Sequence, residues 1–139
     1  MKVVGLVLAL MLWSIAASSH GAPPGYAEAN VANLKRTSDV TVLVRISGYT
    51  AVKEIREAFS GRIGYVRFRV TGHVVESFHG SRPGPIDFYV VQEQPSNPPA
   101  SDEYIVSLNR RNGSLEFADD SVWWVPATPK LVAIARKAR

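Results

Sequence analysis

The stretch GRIGYVRFRVTGHVVESFHG, Gly61–Gly80, decides the fold of this chain. Its first half alternates, with Val66, Phe68 and Val70 on one side and polar or aromatic residues on the other. A period of two is typical of a strand with one buried face. Gly72 interrupts the alternation before a second apolar run, and a glycine inside a strand indicates a bulge. We therefore predict one long strand with a bulge at Gly72, which lets a small barrel curl closed.

The N-terminus has the layout of a secretory signal peptide. Lys2 supplies a positive charge, and an apolar run and several small residues follow it. The run is shorter than the ~20 residues that span a bilayer, and no basic flank follows it. Cleavage after Gly21 and cleavage after Ser19 both leave small residues at the cut. The sequence predicts a signal peptide over 1–21, one domain over 22–139, a periplasmic or secreted location, and no transmembrane anchor after cleavage.

The composition of the chain bounds how the exported domain can be stabilised. The chain has no cysteine, so disulfides are excluded and an apolar core must hold the domain together. Hydrophobic residues make up 46% of the chain and charged residues 20%, which permits such a core. The net charge is +4 and falls by one when Lys2 is removed. This small excess is typical of a soluble exported protein and small for a nucleic-acid binder.

Further strands follow from alternation and turn residues along the chain. Asn112-Gly113 is a pair that favours the left-handed conformations of a tight hairpin turn, so the segments on either side of it are expected to pair. Proline and glycine residues bound the other segments. The predicted strands beyond the first are Val40–Ser47, Ile86–Val91, Tyr104–Leu108 and Leu115–Phe117, with a last extended piece at Val122–Val125.

Helices are predicted near both ends of the domain. Ala27–Arg36 has apolar residues at helical spacing. Thr128 and Pro129 are an N-cap residue and a first-turn proline, so a second helix begins there. Val52–Phe59 has two interpretations, a short bridging helix or a strand extension. The predicted fold class is mainly β: a five-stranded OB-like Greek-key barrel with a short N-terminal helix and a C-terminal helix. An open antiparallel sandwich is the alternative.

The sequence offers no catalytic, cofactor or metal-binding pattern, and we predict that the protein is not an enzyme. No nucleophile-elbow or phosphate-loop motif occurs. His73 and His79 would lie ~20 Å apart on one strand, too far to share a metal. Glu116, Asp119 and Asp120 lack the spacing of a calcium loop.

Two groups of residues are candidates for binding a partner. Tyr65, Arg67 and Arg69 occupy the solvent side of the long strand, an arrangement that also occurs on nucleic-acid-binding faces. Export and the small net charge favour a solvent face and predict no nucleic-acid partner. Trp123 and Trp124 are adjacent, so on an extended segment they point to opposite faces. At most one is then fully buried, and the other either anchors a partner or is covered by the C-terminal helix.

Five segments of the chain carry one resemblance: VTVLVRISG (Val40–Gly48), HVVESFHG (His73–Gly80), IDFYV (Ile86–Val90), DEYIVSLN (Asp102–Asn109) and WWVPATPKLVAIAR (Trp123–Arg136). Together they resemble the netrin-like module, an OB-type barrel shared with the tissue inhibitors of metalloproteinases. They are closer to its bacterial exported branch, which the last segment also fits. The animal inhibitors chelate the zinc of their target through an N-terminal cysteine, which this chain lacks. The resemblance therefore implies the fold and not that mechanism.

These observations favour a non-enzymatic exported binding module without cofactors. Its expected partner is a protein or glycan of the cell envelope, bound through the arginine face or a tryptophan-lined edge. The alternative is a cysteine-free netrin-like protease inhibitor that acts through the loop Ser81–Pro85 or the loop Glu93–Ser101.

Overall fold

The computed structural model describes residues 26–99, 102–118 and 124–139. The predicted signal peptide and Trp123 lie outside the described residues. Neither helix in the described ranges has the length and hydrophobicity that a membrane span requires. The elements are α1 (Tyr26–Thr37), β1 (Val40–Arg56), β2 (Ile63–His79), β3 (Gly84–Glu93), β4 (Glu103–Arg111), β5 (Ser114–Phe117), β6 (Val125–Pro126) and α2 (Pro129–Lys137).

Five strands form a closed ring in the order β1-β2-β3-β5-β4-β1. Neighbouring strands are antiparallel, except that β3 contacts β5 in parallel through Tyr89 and Glu116. The two-residue turn between β4 and β5 has φ angles of 48° at Asn112 and 81° at Gly113, as the hairpin prediction requires. The predicted fold class, a mainly β OB-like ring with a helix at each end, is confirmed.

Two apolar clusters meet at β1, because successive side chains of a strand point to opposite faces. Val42 and Val44 point into the ring, where they pack with Phe88 and other fully buried residues. Leu43 points outward into a second cluster, which includes Val31 of α1 and the buried face of α2. The first half of β1 is therefore covered on both sides, and the helices have a fixed position on the ring.

Gly72 allows β1 and β2 to approach each other closely. The prediction that Gly72 itself is the bulge residue is wrong. The register of β1 and β2 does shift opposite Gly72, but the extra residue is Ser47 of β1. Gly72 itself pairs with Ile86 of β3 without interruption. A Cβ atom at Gly72 would lie 2.6 Å from the carbonyl oxygen of Arg45 and 2.8 Å from Cγ2 of Val44. Only glycine leaves room for β1 at this distance.

Within the described ranges, the second half of β1 is an edge strand. The helix interpretation of Val52–Phe59 is wrong and the strand alternative is confirmed, since β1 continues to Arg56 and pairs with β2 throughout. On the other side, β4 pairs with β1 only from Val40 to Arg45. We call residues 48–56 of β1 the distal edge.

Helix α2 begins where the sequence predicts, and a hydrogen bond stabilises each of its ends. The Thr128 hydroxyl oxygen accepts a hydrogen bond from the Leu131 backbone N–H at 3.3 Å, which caps the helix N-terminus. At the other end, Lys35 Nζ of α1 donates to the Ala138 carbonyl oxygen at 2.5 Å. The predicted helices are therefore confirmed, and they are bound to each other.

One ion pair of α2 is expected to make stability depend on pH. Arg136 donates to both carboxylate oxygens of Glu76 in β2, each at 2.7 Å, and this hydrogen bonding lowers the pKa of Glu76. The pair therefore stabilises the fold above the unfolded pKa of about 4.3, and its contribution is lost as the pH falls through the lower folded pKa. We expect Glu76→Gln to reduce the free energy of unfolding slightly at pH 7, and this loss to shrink below about pH 4.

Urea unfolding of both proteins across this pH range measures the effect. Glu93→Gln, at the far end of β3, is the control and is expected to leave stability close to that of the unsubstituted protein. A loss in Glu76→Gln that is the same at every pH would contradict the assignment to the ion pair.

Candidate binding face

The structure brings three of the predicted site residues together. Tyr65, Arg67 and Arg69 are alternate residues of β2, and a regular strand places alternate residues on the same side. Directly across on β1, Ile55 pairs with Tyr65 and Lys53 pairs with Arg67. The residues of β3 opposite the same row are Glu93, Val91 and Tyr89. Because cross-strand partners share a face, these three strands form one surface, which we call the outer face.

Arg67 is fixed at the centre of the outer face. Its guanidinium donates to Glu116 Oε1 at 2.7 Å and lies 4.3 Å from the ring centroid of Tyr89. The side chains of Arg67 and Glu116 are 33% and 24% exposed, so the pair is partly shielded from water. A guanidinium that stacks on an aromatic ring and binds a carboxylate is held in one orientation. Its charge is also neutralised by that carboxylate.

Arg69 forms a second ion pair on the same face. Its guanidinium donates to the carboxylate of Asp87 on β3, and both side chains are about half exposed. The hydrogen bond from Arg69 to Asp87 raises the pKa of Arg69, so the guanidinium stays charged. Both arginines of the face therefore have acidic partners. The face offers directed polar groups with little net charge.

Exposed apolar side chains concentrate beside this row. Four of the five large apolar side chains that are exposed in the described residues lie at this end of β1 and β2. Ile55 and Tyr65, which are cross-strand neighbours, are 39% and 46% exposed, and Phe59 in the following turn is fully exposed. We call this group, which also includes Val52, the distal apolar cluster. Exposed apolar side chains that are grouped in one region of a surface are a feature of interaction sites.

Two members of the site are missed by sequence reasoning. Ile55 follows Val52 at the i+3 spacing of a helix, so the sequence pattern does not indicate that Ile55 lies beside Tyr65 on a strand. Glu116 resembles part of an acidic turn, yet it is on β5 and binds Arg67, 49 residues away in sequence. The contact depends on the parallel pairing of β3 with β5, and no local pattern signals it.

Trp124 is not part of the outer face. Its ring lies 5.0 Å from that of Phe117 and 5.1 Å from that of Tyr104, in an aromatic cluster at one end of the ring interior. Its Nε1 is buried and has no hydrogen-bond partner among the described residues. Trp124 therefore packs against the core of the strand ring. Trp123, the other tryptophan of the prediction, is not among the described residues.

Tyr49 closes the aromatic cluster next to Trp124. Its ring stacks on Phe68 with 4.3 Å between centroids, and its hydroxyl donates to Gln92 Oε1 at 2.5 Å. Burial raises the pKa of Tyr49 to about 12, so the phenol stays neutral near pH 7. This hydrogen bond ties the edge strand β1 to the end of β3.

No group of three or more metal-ligating side chains is close enough to hold a metal ion within the part of the chain that the structure describes. His73 and His79 are both exposed on β2. No protein-family model matches the sequence, and no curated protein does. The netrin-like resemblance therefore rests on the strand and turn motifs and stays a prediction.

Proposed function

We propose that the protein is a non-enzymatic binding module that is exported to the periplasm or secreted. It binds a protein of the cell envelope through the outer face and the distal apolar cluster. The observation that carries the proposal is the concentration of exposed apolar side chains beside two arginines that are already oriented by acids. Aromatic residues and arginine are enriched where proteins bind each other.

The chemistry of the surface favours a protein over the other partners. Val52 and Ile55 are aliphatic and exposed, whereas a glycan presents mainly hydroxyl groups and would leave them without apolar contacts. A nucleic acid would need free cations along the phosphate backbone. Arg67 and Arg69 are both bound to carboxylates, which supports a partner other than nucleic acid.

A photo-crosslinking residue placed at Tyr65 tests the proposal inside cells. Val75 is the matched control position, because it is on the same strand and is 43% exposed against 46% for Tyr65. We expect one envelope protein to be captured from position 65 and not from position 75. Equal capture at both positions would contradict the proposal. Capture of a protease through Ser81–Pro85 or Glu93–Ser101 would instead favour the cysteine-free netrin-like inhibitor.

Substitution of Tyr65 is expected to weaken the captured complex without unfolding the protein. Tyr65→Ser removes a half-exposed aromatic ring from a strand, so the free energy of unfolding should fall by only about 1 kcal/mol. Affinity for the partner should fall about tenfold or more if Tyr65 is an anchor of the interface. Titration calorimetry with the purified partner measures this, with Val75→Ser as the control. Similar losses in both variants would contradict the assignment.

A test of the role of Arg67 in partner binding requires a variant that keeps the fold. Arg67→Glu would place its new carboxylate against Glu116 and is expected to reduce stability as well as binding. The double variant Arg67→Glu/Glu116→Arg restores an ion pair with the charges exchanged. We expect this double variant to recover stability but not partner binding, because the guanidinium then belongs to a residue of β5 and no longer to one of β2. Recovery of both would show that the arginine acts only on stability.

A further inference from the structure

Among the described residues, the backbone groups on one side of the distal edge have no strand partner. Along residues 48–56, β1 is bound to β2 on one side, and no described strand lies along its other side. The nearest backbone contact there is the Ile46 N–H, which donates to the Asp102 carbonyl oxygen at 2.9 Å. An edge of this length is a template for strand addition.

Charged residues on an edge strand ordinarily prevent such pairing, so their order decides what the edge accepts. The distal edge ends with Lys53, Glu54, Ile55 and Arg56, and Glu57 follows. Positively and negatively charged side chains alternate along this segment, with the apolar Ile55 at its centre. This order suits a partner strand that presents the same charges in the reverse direction.

A second copy of the chain presents that strand. When two identical strands pair antiparallel about a two-fold axis perpendicular to their sheet, one residue lies opposite itself, and the others pair symmetrically around it. Centring on Lys53, Glu54 or Arg56 would place like charges opposite each other. Centring on Ile55 places Ile55 against the second copy's Ile55. It also places Glu54 against the second copy's Arg56, and Lys53 against the second copy's Glu57.

We propose that two copies of this protein form a dimer by antiparallel pairing of their distal edges, with Ile55 on the two-fold axis. Every charge from Lys53 to Glu57 then meets its opposite. Within one chain, Arg56 already contacts Glu54 at 3.3 Å, so these two side chains lie on the same face of the strand. The pairing therefore brings two such pairs together as a ring of four alternating charges.

The dimer has a consequence for the outer face, and this part of the inference rests on the proposed function. A two-fold axis perpendicular to the sheet leaves both outer faces on the same side. Since Ile55 is the cross-strand neighbour of Tyr65, the row across the joined sheets runs from one Tyr65 through two Ile55 side chains to the second Tyr65. At ~4.8 Å per strand this makes one continuous apolar strip. A partner with two matching sites would bind it with increased avidity.

Sedimentation velocity of the purified protein over about 1 µM to 500 µM tests the pairing, because a dimer of this kind depends on concentration. We expect the unsubstituted protein to dimerise. Ile55→Asp should weaken the dimer at least tenfold, because two carboxylates then meet on the axis. Val75→Asp, an equally exposed apolar position away from the edge, is the control and should dimerise normally. A monomer at every concentration would overturn the proposal.

A mixing experiment tests the register. Glu54→Lys alone places Lys against Arg56 of the other copy, and Arg56→Glu alone places Glu against Glu54, so each variant should be at least tenfold weaker as a homodimer. Mixed together, the two variants pair opposite charges at both positions, and a heterodimer should form. Homodimers as tight as the unsubstituted protein, or a mixture that stays monomeric, would overturn the register. Both readouts use the protein alone, so their failure leaves the crosslinking result at Tyr65 to judge the proposed function separately.

Discussion

Replacing Gly80 with alanine is expected to destabilise the protein by about 3 kcal/mol or more. Gly80 follows β2 with a φ of 73°, a conformation that costs an L-residue about 1–2 kcal/mol. A Cβ atom there would also lie 1.9 Å from the carbonyl oxygen of Asp39. That carbonyl precedes β1, so relief of the clash requires movement of the backbone after β2 or of the strand that belongs to both apolar clusters. Equilibrium unfolding in urea measures the loss.

Gly61→Ala is the matched control for this prediction. Gly61 has a φ of 66°, close to that of Gly80, but nothing lies within 4 Å of a Cβ atom built on it. Its substitution therefore tests the backbone conformation alone and should cost about 1 kcal/mol. Equal losses in the two variants would show that the contact with Asp39 is relieved at no cost.

Replacing Phe88 with alanine is expected to cost about 3–5 kcal/mol. Phe88 is fully buried inside the ring, 5.9 Å from the Phe117 ring and 6.2 Å from the Trp124 ring. The strands around it are closed on each other and cannot collapse into the space that its ring leaves. The free energy of unfolding from urea titration, followed by far-ultraviolet circular dichroism, is the measurement.

Phe59→Ala is the same chemical change at a fully exposed position. It is expected to alter the free energy of unfolding by less than about 0.5 kcal/mol. If the proposed function is correct, it lowers affinity for the partner instead. A loss of stability in Phe59→Ala comparable to that in Phe88→Ala would contradict the assignment of these two rings to surface and core.

Local patterns were enough to predict much of the fold. The alternation of Val42 with Val44 places both inside the ring, and the turn at Asn112 and Gly113 forms as expected. Thr128 caps α2 as its side-chain chemistry predicts. Each of these features is decided by residues close together in the chain, which is why sequence alone suffices.

The errors concern features that depend on a second strand. Gly72 indicates an irregularity, but the extra residue, Ser47, belongs to the strand opposite. Val52 is itself an extra residue in the pairing of β1 with β2, and it shifts the alternation so that the segment resembles a helix. For the site, alternation alone groups Tyr65 with the two arginines, whereas the acidic partner of Arg67 follows from the topology.

The ring order also determines when this chain can finish folding. β1 must pair with β4 to close the ring, and Val40 meets Leu108 there across most of the domain's sequence. Contacts between such distant segments form late, because the entropy of closing the intervening chain opposes them. During synthesis the N-terminal part of the chain is made first, so the β1–β2 hairpin can form early. The core of the domain stays open until β4 and β5 arrive, so we expect folding on the slow, millisecond-to-second scale of non-local β proteins.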